Sequence, residues 1–132
     1  MASELRVNTL KDAAGNNSIA TSFVAGGSAK AWANVYAQTP TINDSTNIAS
    51  ITDNGTGDHS LSFVSTPANA YYAFPTSAHY TGGVAGAVWT AEGKDGQAQV
   101  SSYVRIGTQY STGRTAYDTG TLFTVAILGD LA

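Results

Sequence analysis

The stretch IASITDNGTGDHSLSF, Ile48 to Phe63, decides how this chain folds. Ile51 leads into Asp53-Asn54-Gly55-Thr56-Gly57-Asp58, and Leu61 and Phe63 then recur at a spacing of two. Two is the strand period, because successive side chains of a strand point to opposite faces. Asn-Gly is a strong short-range signal for a tight hairpin turn, so the segment reads as a β-hairpin over a glycine-rich turn. Just upstream, Ala29 to Ala37 alternates in the same way. Trp32, Asn34 and Tyr36 fall on one face, and Ala31, Ala33, Val35 and Ala37 on the other. The face of small residues is expected to pack closely against a second sheet or a symmetry mate. Trp32 is assigned to a core position.

The same reading extends along the chain. Glu4 to Leu10 alternates Leu5, Val7 and Thr9 before the turn cluster Lys11-Asp12-Ala13-Ala14-Gly15-Asn16-Asn17, and Ile19 to Val24 forms a second short strand ending at Gly26-Gly27. Residues 1–27 hold too few large apolar side chains for a core, so they are expected to form an assembly arm that docks on another subunit or on the body. Residues 28–132 are expected to form the main domain. There, Pro40 interrupts and Ile42 resumes; Tyr71, Tyr72 and Phe74 continue the β reading between Pro67 and Pro75, although proline disfavours a central strand. Ala78 to Ala91 carries Gly82-Gly83-Val84-Ala85-Gly86, too glycine-rich for a helix, and reads as a loop entering a strand near Val88. Gln97 to Ile106 sets Val100, Ser102, Val104 and Ile106 against Gln99, Ser101, Tyr103 and Arg105. Gly107 to Gly120 reads as a long loop. Thr121 to Gly129 is apolar enough for a central strand buried on both faces. About eight strands at this spacing predict an all-β, two-sheet β-sandwich, with jelly-roll-like order as its variant.

Composition agrees with that class. A chain of 132 residues has room for one domain that buries about two-thirds of its unfolded surface. Only 11% of residues are charged, while Thr numbers 17, Ser 13 and Gly 14, a balance that favours strands with hydroxyl-bearing faces over an amphipathic bundle. The net charge is −3 and the six basic residues, Arg6, Lys11, Lys30, Lys94, Arg105 and Arg114, are scattered, which argues against nucleic acid as a partner. There is no basic start followed by an apolar run, and no segment approaches the roughly 18 apolar residues of a membrane span, so a soluble cytoplasmic product without membrane insertion is expected. Without Cys there is neither a disulfide framework nor a thiolate metal site.

Several patterns resemble chemistry and read better as structure. Asp118-Thr119-Gly120 matches the triplet of dimeric aspartic proteases, but Gly113-Arg114-Thr115-Ala116 stands where those enzymes need an apolar strand, so a turn before the last strand is expected. Asp53 and Asp58 could gather around a hard cation, yet the spacing lacks the ligand number and terminal Glu of a calcium loop; Asx-type turn capping is the better reading. His59 and His79 have no second His or Cys at ligand spacing, and no Gly-x-Ser-x-Gly elbow occurs. The phosphate-cradling glycine motifs are absent too. No catalytic residue, cofactor or metal is therefore assigned. The aromatics Tyr71, Tyr72, Tyr80, Trp89, Tyr110 and Tyr117 are the candidate receptor or interface residues, because Tyr and Trp offer contact area with a polar handle at low entropic cost.

KAWANVYAQTPTINDSTNIASITDNGTGDHSLSF (30–63) and LFTVAILGDLA (122–132), with the spacer between them, resemble a small virion or tail-fibre module of tailed bacteriophages, notably marine and cyanobacterial ones. The chain departs from that module at Val35-Tyr36 and Ile42-Asn43-Asp44, where the module carries an aromatic and an Arg-Asp pair. The resemblance implies a non-enzymatic structural protein of the virion, made in the host cytoplasm. Its preferred role is a tail-fibre or tail-tip component, a homotrimer because fibres are usually threefold, with other phage structural proteins and a host-surface glycan or receptor as partners. The alternative is a capsid decoration or cement protein that clamps the phage head.

Overall fold

The computed structural model describes residues 6–15, 18–80, 89–94, 96–110, 115–118 and 121–130. In chain order the elements are β1 (Thr9–Lys11), β2 (Ser18–Ala20), α1 (Thr21–Gly27), β3 (Ala29–Tyr36), β4 (Thr41–Thr46), β5 (Ile48–Gly55), β6 (Asp58–Phe63), β7 (Thr76–Tyr80), β8 (Trp89–Gly93), β9 (Tyr103–Tyr110), β10 (Thr115–Ala116) and β11 (Thr121–Leu128). The protein is an all-β, two-sheet sandwich preceded by a small β1–β2 hairpin and one short helix. One sheet runs β4-β3-β11-β7; the other runs β10-β9-β6-β5, with β8 also pairing β9. The first and last strands of the sandwich, β3 and β11, pair as they do in a jelly roll. The pairs β3–β4, β5–β6 and β8–β9 are instead hairpins between sequence neighbours.

Alternation builds the core. On β11, Thr121, Phe123, Val125 and Ile127 are buried while the residues between them are half-buried. Their partners on β3 are small: Ala31 faces Ile127, Ala33 faces Val125 and Val35 faces Phe123. This large-against-small pairing leaves room for the opposite sheet to contribute His59, Leu61 and Phe63 from β6 and Val104, Ile106 and Thr108 from β9. Burying each large apolar side chain stabilises the fold by about 1.5–3 kcal/mol.

A single residue, Asn47, carries the chain from β4 in one sheet to β5 in the other, at φ 57°. Asn accepts this left-handed conformation more readily than most residues. Its side chain fixes the corner: Nδ2 donates to the carbonyls of Lys30 (3.1 Å) and Ser65 (2.9 Å), and Oδ1 accepts from the Ser65 amide (2.7 Å).

Several details correct the sequence reading. The 48–63 hairpin is present, but its turn falls at Thr56-Gly57, and Asn54-Gly55 forms an irregularity in the ladder before it. The strand expected over Ile19 to Val24 stops at Ala20. From Thr21 the chain turns into α1, whose local bonds need no neighbouring strand, and the Thr21 amide and hydroxyl cap the hairpin on Asn8 O. Of Tyr71 to Phe74 only Ala73 bridges to a strand, at Leu128, because an Asn69 turn and Pro75 confine the segment. The loop expected from Ala78 begins later, since β7 runs to Tyr80, while the strand expected near Val88 is present as β8 from Trp89; residues 81–88 lie outside the described residues. The long alternation from Gln97 is strand only from Tyr103, since Gly96 at φ 72° and the Gln97 amide on Lys94 O make a turn first. Residues 107–110 extend β9 and 115–116 form β10, where the reading placed one loop. The outer face of β11 is half-exposed, not buried, and Trp32 lies on that same outer face at 37% exposure, so it is not a core residue. No described residue of the arm from 6 to 28 is buried, and no helix among the described residues is long and apolar enough to cross a membrane.

Candidate functional site

The densest polar cluster sits where the β5–β6 turn meets β9 and the approach to β11. Asp58 opens β6 and is 8% exposed. Both its oxygens hold the Arg105 guanidinium of β9, each at 2.7 Å, and Lys94 Nζ stands 3.9 Å away. The Arg105 hydrogen bonds keep the Asp58 carboxyl below the usual carboxylate range against the opposing effect of burial, and the same pair raises Arg105. Arg105 also donates to Gln97 Oε1 at 2.9 Å. A guanidinium thus already fills the Asp58 carboxylate, against the cation, the weaker reading of this loop. Asp53 instead accepts from the Gly55 amide at 2.9 Å, the Asx-type capping expected of it. Among the described residues, no group of three or more His, Asp or Glu is placed to hold a metal ion.

One residue further along, His59 points the other way, into the core. It is fully buried, its ring lies 5.6 Å from that of Phe123, and neither ring nitrogen has a hydrogen-bond partner. Nε2 stands 3.7 Å from Asp118 Oδ1. That same oxygen accepts from the Gly57 amide at 2.7 Å and from the Thr108 hydroxyl at 3.3 Å, and Thr108 also donates to Tyr117 O at 2.7 Å. Asp118 thus locks the hairpin turn against β9, and its own carbonyl accepts from the Thr121 amide at 3.0 Å as the chain turns into β11. This is the turn expected before the last strand; Thr119 and Gly120 lie outside the described residues. The burial of His59 could have been read from its spacing of two with Leu61 and Phe63. Its approach to Asp118, 59 residues later, carries no local signal.

The candidate aromatics do not form one surface. Tyr71 is 94% exposed on the loop before β7. Tyr72, its neighbour, is buried and donates its hydroxyl towards the carbonyls of Val100 (3.0 Å) and Tyr103 (3.1 Å), which removes it from any recognition surface. Burial pushes the Tyr72 phenol up to about 12. Tyr80 ends β7 half-buried, opposite Thr121. Tyr110 and Tyr117, both half-buried, bring their rings to 5.0 Å, and Trp89 pairs with Tyr110 in the β8–β9 ladder, its side chain outside the described part. Tyr71 is the exposed member of the set, and Tyr80, Tyr110 and Tyr117 keep part of their surface. No family model, no curated protein and no solved structure matches the chain.

Proposed function

We propose that this chain is a non-enzymatic structural subunit of a tailed-bacteriophage particle, a tail-fibre or tail-tip component that assembles as a homotrimer through its N-terminal arm and contacts the host surface with its sandwich. The observation that carries this reading is the arm. Val7, Leu10, Ile19, Phe23 and Val24 are 39–74% exposed on a segment that contributes nothing to the core. Large apolar side chains grouped on a part with no core of its own gain their stabilisation from another chain. The tail rather than another assembly is favoured by the resemblance of residues 30–63 and 122–132 to the phage module. The binding energy is apolar area and backbone pairing between subunits. Tyr71, and the half-buried Tyr80, Tyr110 and Tyr117, are the aromatics of the candidate set that offer surface to a host-surface glycan or receptor.

Immunogold labelling of intact virions with an antibody to this chain tests the assignment. Gold on the tail is the expected result. Gold over the head would replace it with the capsid-decoration reading, for which the same arm would clamp neighbouring capsomers, and particles without label would remove both.

A further inference from the structure

The outer face of the β4-β3-β11-β7 sheet carries a groove of about 490 Å³ that none of the candidate aromatics lines. Cross-strand register lays out its floor. One row is Trp32 and Ala126; the next, two residues along each strand, is Asn34, Thr124 and Ser77, with Thr46 and Asp44 beside these rows on the edge strand β4, outside the lining. Two residues of strand advance about 6.8 Å. The indole of Trp32 therefore stands beside a methyl-sized neighbour, with a row of amide and hydroxyl groups one step away. Pro75 and Thr76 close the groove on the β7 side.

We propose that this groove is a binding site for a neutral pyranose sugar, stacked on Trp32 and hydrogen-bonded by Asn34, Ser77 and Thr124. A pyranose has an apolar face of C–H groups and a rim of hydroxyls. It thus needs a flat aromatic surface next to donors and acceptors that still have capacity. The groove supplies both. Trp32 is 37% exposed, and no hydrogen bond among the described residues uses its indole N–H. Ser77 and Thr124 share one hydrogen bond at 2.7 Å, so one of the two hydroxyl protons remains for a ligand. Asn34 Oδ1 accepts from Asn43 at 2.7 Å, which leaves the Asn34 amide protons to donate. None of the lining residues is ionisable, and the charged group next along the row, Asp44 beside Asn34, is an acid, so the electrostatics suit an uncharged ligand better than a sialic or uronic acid. A second copy of the chain is a poorer occupant. The apolar floor is essentially one indole, one proline and an alanine, small beside the core of a stable protein interface of about 800 Å² per partner. All the groups stand on paired strands, so the site is formed before the ligand arrives.

The site deepens the host-contact part of the proposed function and rests on it only for the source of the sugar, a cell-surface glycan. Its test is independent of virion labelling: the purified full chain is applied to an array of neutral, sialylated and uronic-acid glycans, beside Trp32→Ala. The expected result is retention of neutral glycans, weakened by about tenfold or more in Trp32→Ala at an unchanged oligomeric mass. In the wild-type chain, the indole N–H resonance of Trp32 should shift as the best-retained neutral glycan is added, a readout that needs no variant. Retention of no neutral glycan, a preference for acidic ones, a still indole resonance, or full retention by Trp32→Ala would overturn the proposal. A fall in oligomeric mass in Trp32→Ala would identify the face as an interface between copies and overturn it as well.

Discussion

The arm and the sandwich begin from similar material and end differently. Both contain antiparallel strand pairs with apolar side chains opposite one another: Leu10 and Ile19 face each other across β1–β2, as Ile51 and Leu61 do across β5–β6. Leu61 is fully buried, whereas Leu10 and Ile19 are each 44% exposed. The strand pattern therefore fixes which side chains share a face, and burial needs a second layer to cover that face. The sandwich supplies its own second layer, whereas no described residue of the arm is buried; the proposed function supplies the arm's layer from other copies.

The sharpest way to break this contrast is to make one substitution in both regions. Phe123→Ala removes a ring that is 1% exposed and should cost about 3–5 kcal/mol, read as a large fall in melting temperature. Phe23→Ala, at 74% exposure, should leave the melting of an isolated subunit unchanged and weaken assembly. Similar melting losses in both would end the distinction.

Gly57→Ala comes next, at about 2–4 kcal/mol. Gly57 sits at φ +64°, and a β-carbon there would lie 2.5 Å from Thr108 O and 2.8 Å from the Tyr117 amide, both backbone atoms that cannot swing aside. Gly15 of the arm, at φ +73°, has nothing within 4 Å, so Gly15→Ala should carry only the milder cost of its backbone angle. Denaturant midpoints of the two variants check the difference.

Asp58→Asn should cost about 1–3 kcal/mol, because it removes the charge that Arg105 holds with two bonds. The folded Asp58 carboxyl titrates below its unfolded value, so this contribution is whole above the ordinary carboxylate range and is lost as pH falls through the folded value. The variant should accordingly show a flatter acid limb of stability against pH; an unaltered limb would mean that the pair is energetically idle.

The smallest effect expected is Tyr72→Phe, about 1 kcal/mol for the hydroxyl bonded to Val100 and Tyr103. Tyr72 is raised from 10.0 to about 12, so its contribution is complete below pH 10 and disappears as pH climbs through 12. Alkaline unfolding should be less steep in the variant, and the change should appear in the sandwich signal alone.

How much of this was legible in the sequence follows from how local each cause is. Period-two alternation at Ala31, Ala33 and Val35, and again at Leu61 and Phe63, marks the faces that meet in the core, and the Asp118 turn is marked by its place before the last apolar run. Trp32 misled because its size argues for burial while its register, between two buried alanines, sends it outward; register prevailed. α1 was hidden because TSFVAGG has no strong helix signal and forms where the β1–β2 pairing ends. β10 was hidden in a Thr/Ser/Gly-rich segment that pairs only because β9 runs on to Tyr110. Of the six candidate aromatics, sequence could not separate Tyr71 from Tyr72, since the loop that exposes one and buries the other follows no period. Contacts such as His59 with Asp118 depend on how two sheets are stacked, which no local spacing records.

The most direct test of the central claim, that the arm is completed by other copies, is the mass of the full chain and of the chain lacking residues 2–27, each measured by light scattering during size exclusion. The account predicts a full-length species at three times the 13.6 kDa chain mass and a folded, β-rich single subunit once the arm is gone. A full-length chain that runs as a single subunit, or an armless chain that still assembles, would contradict it.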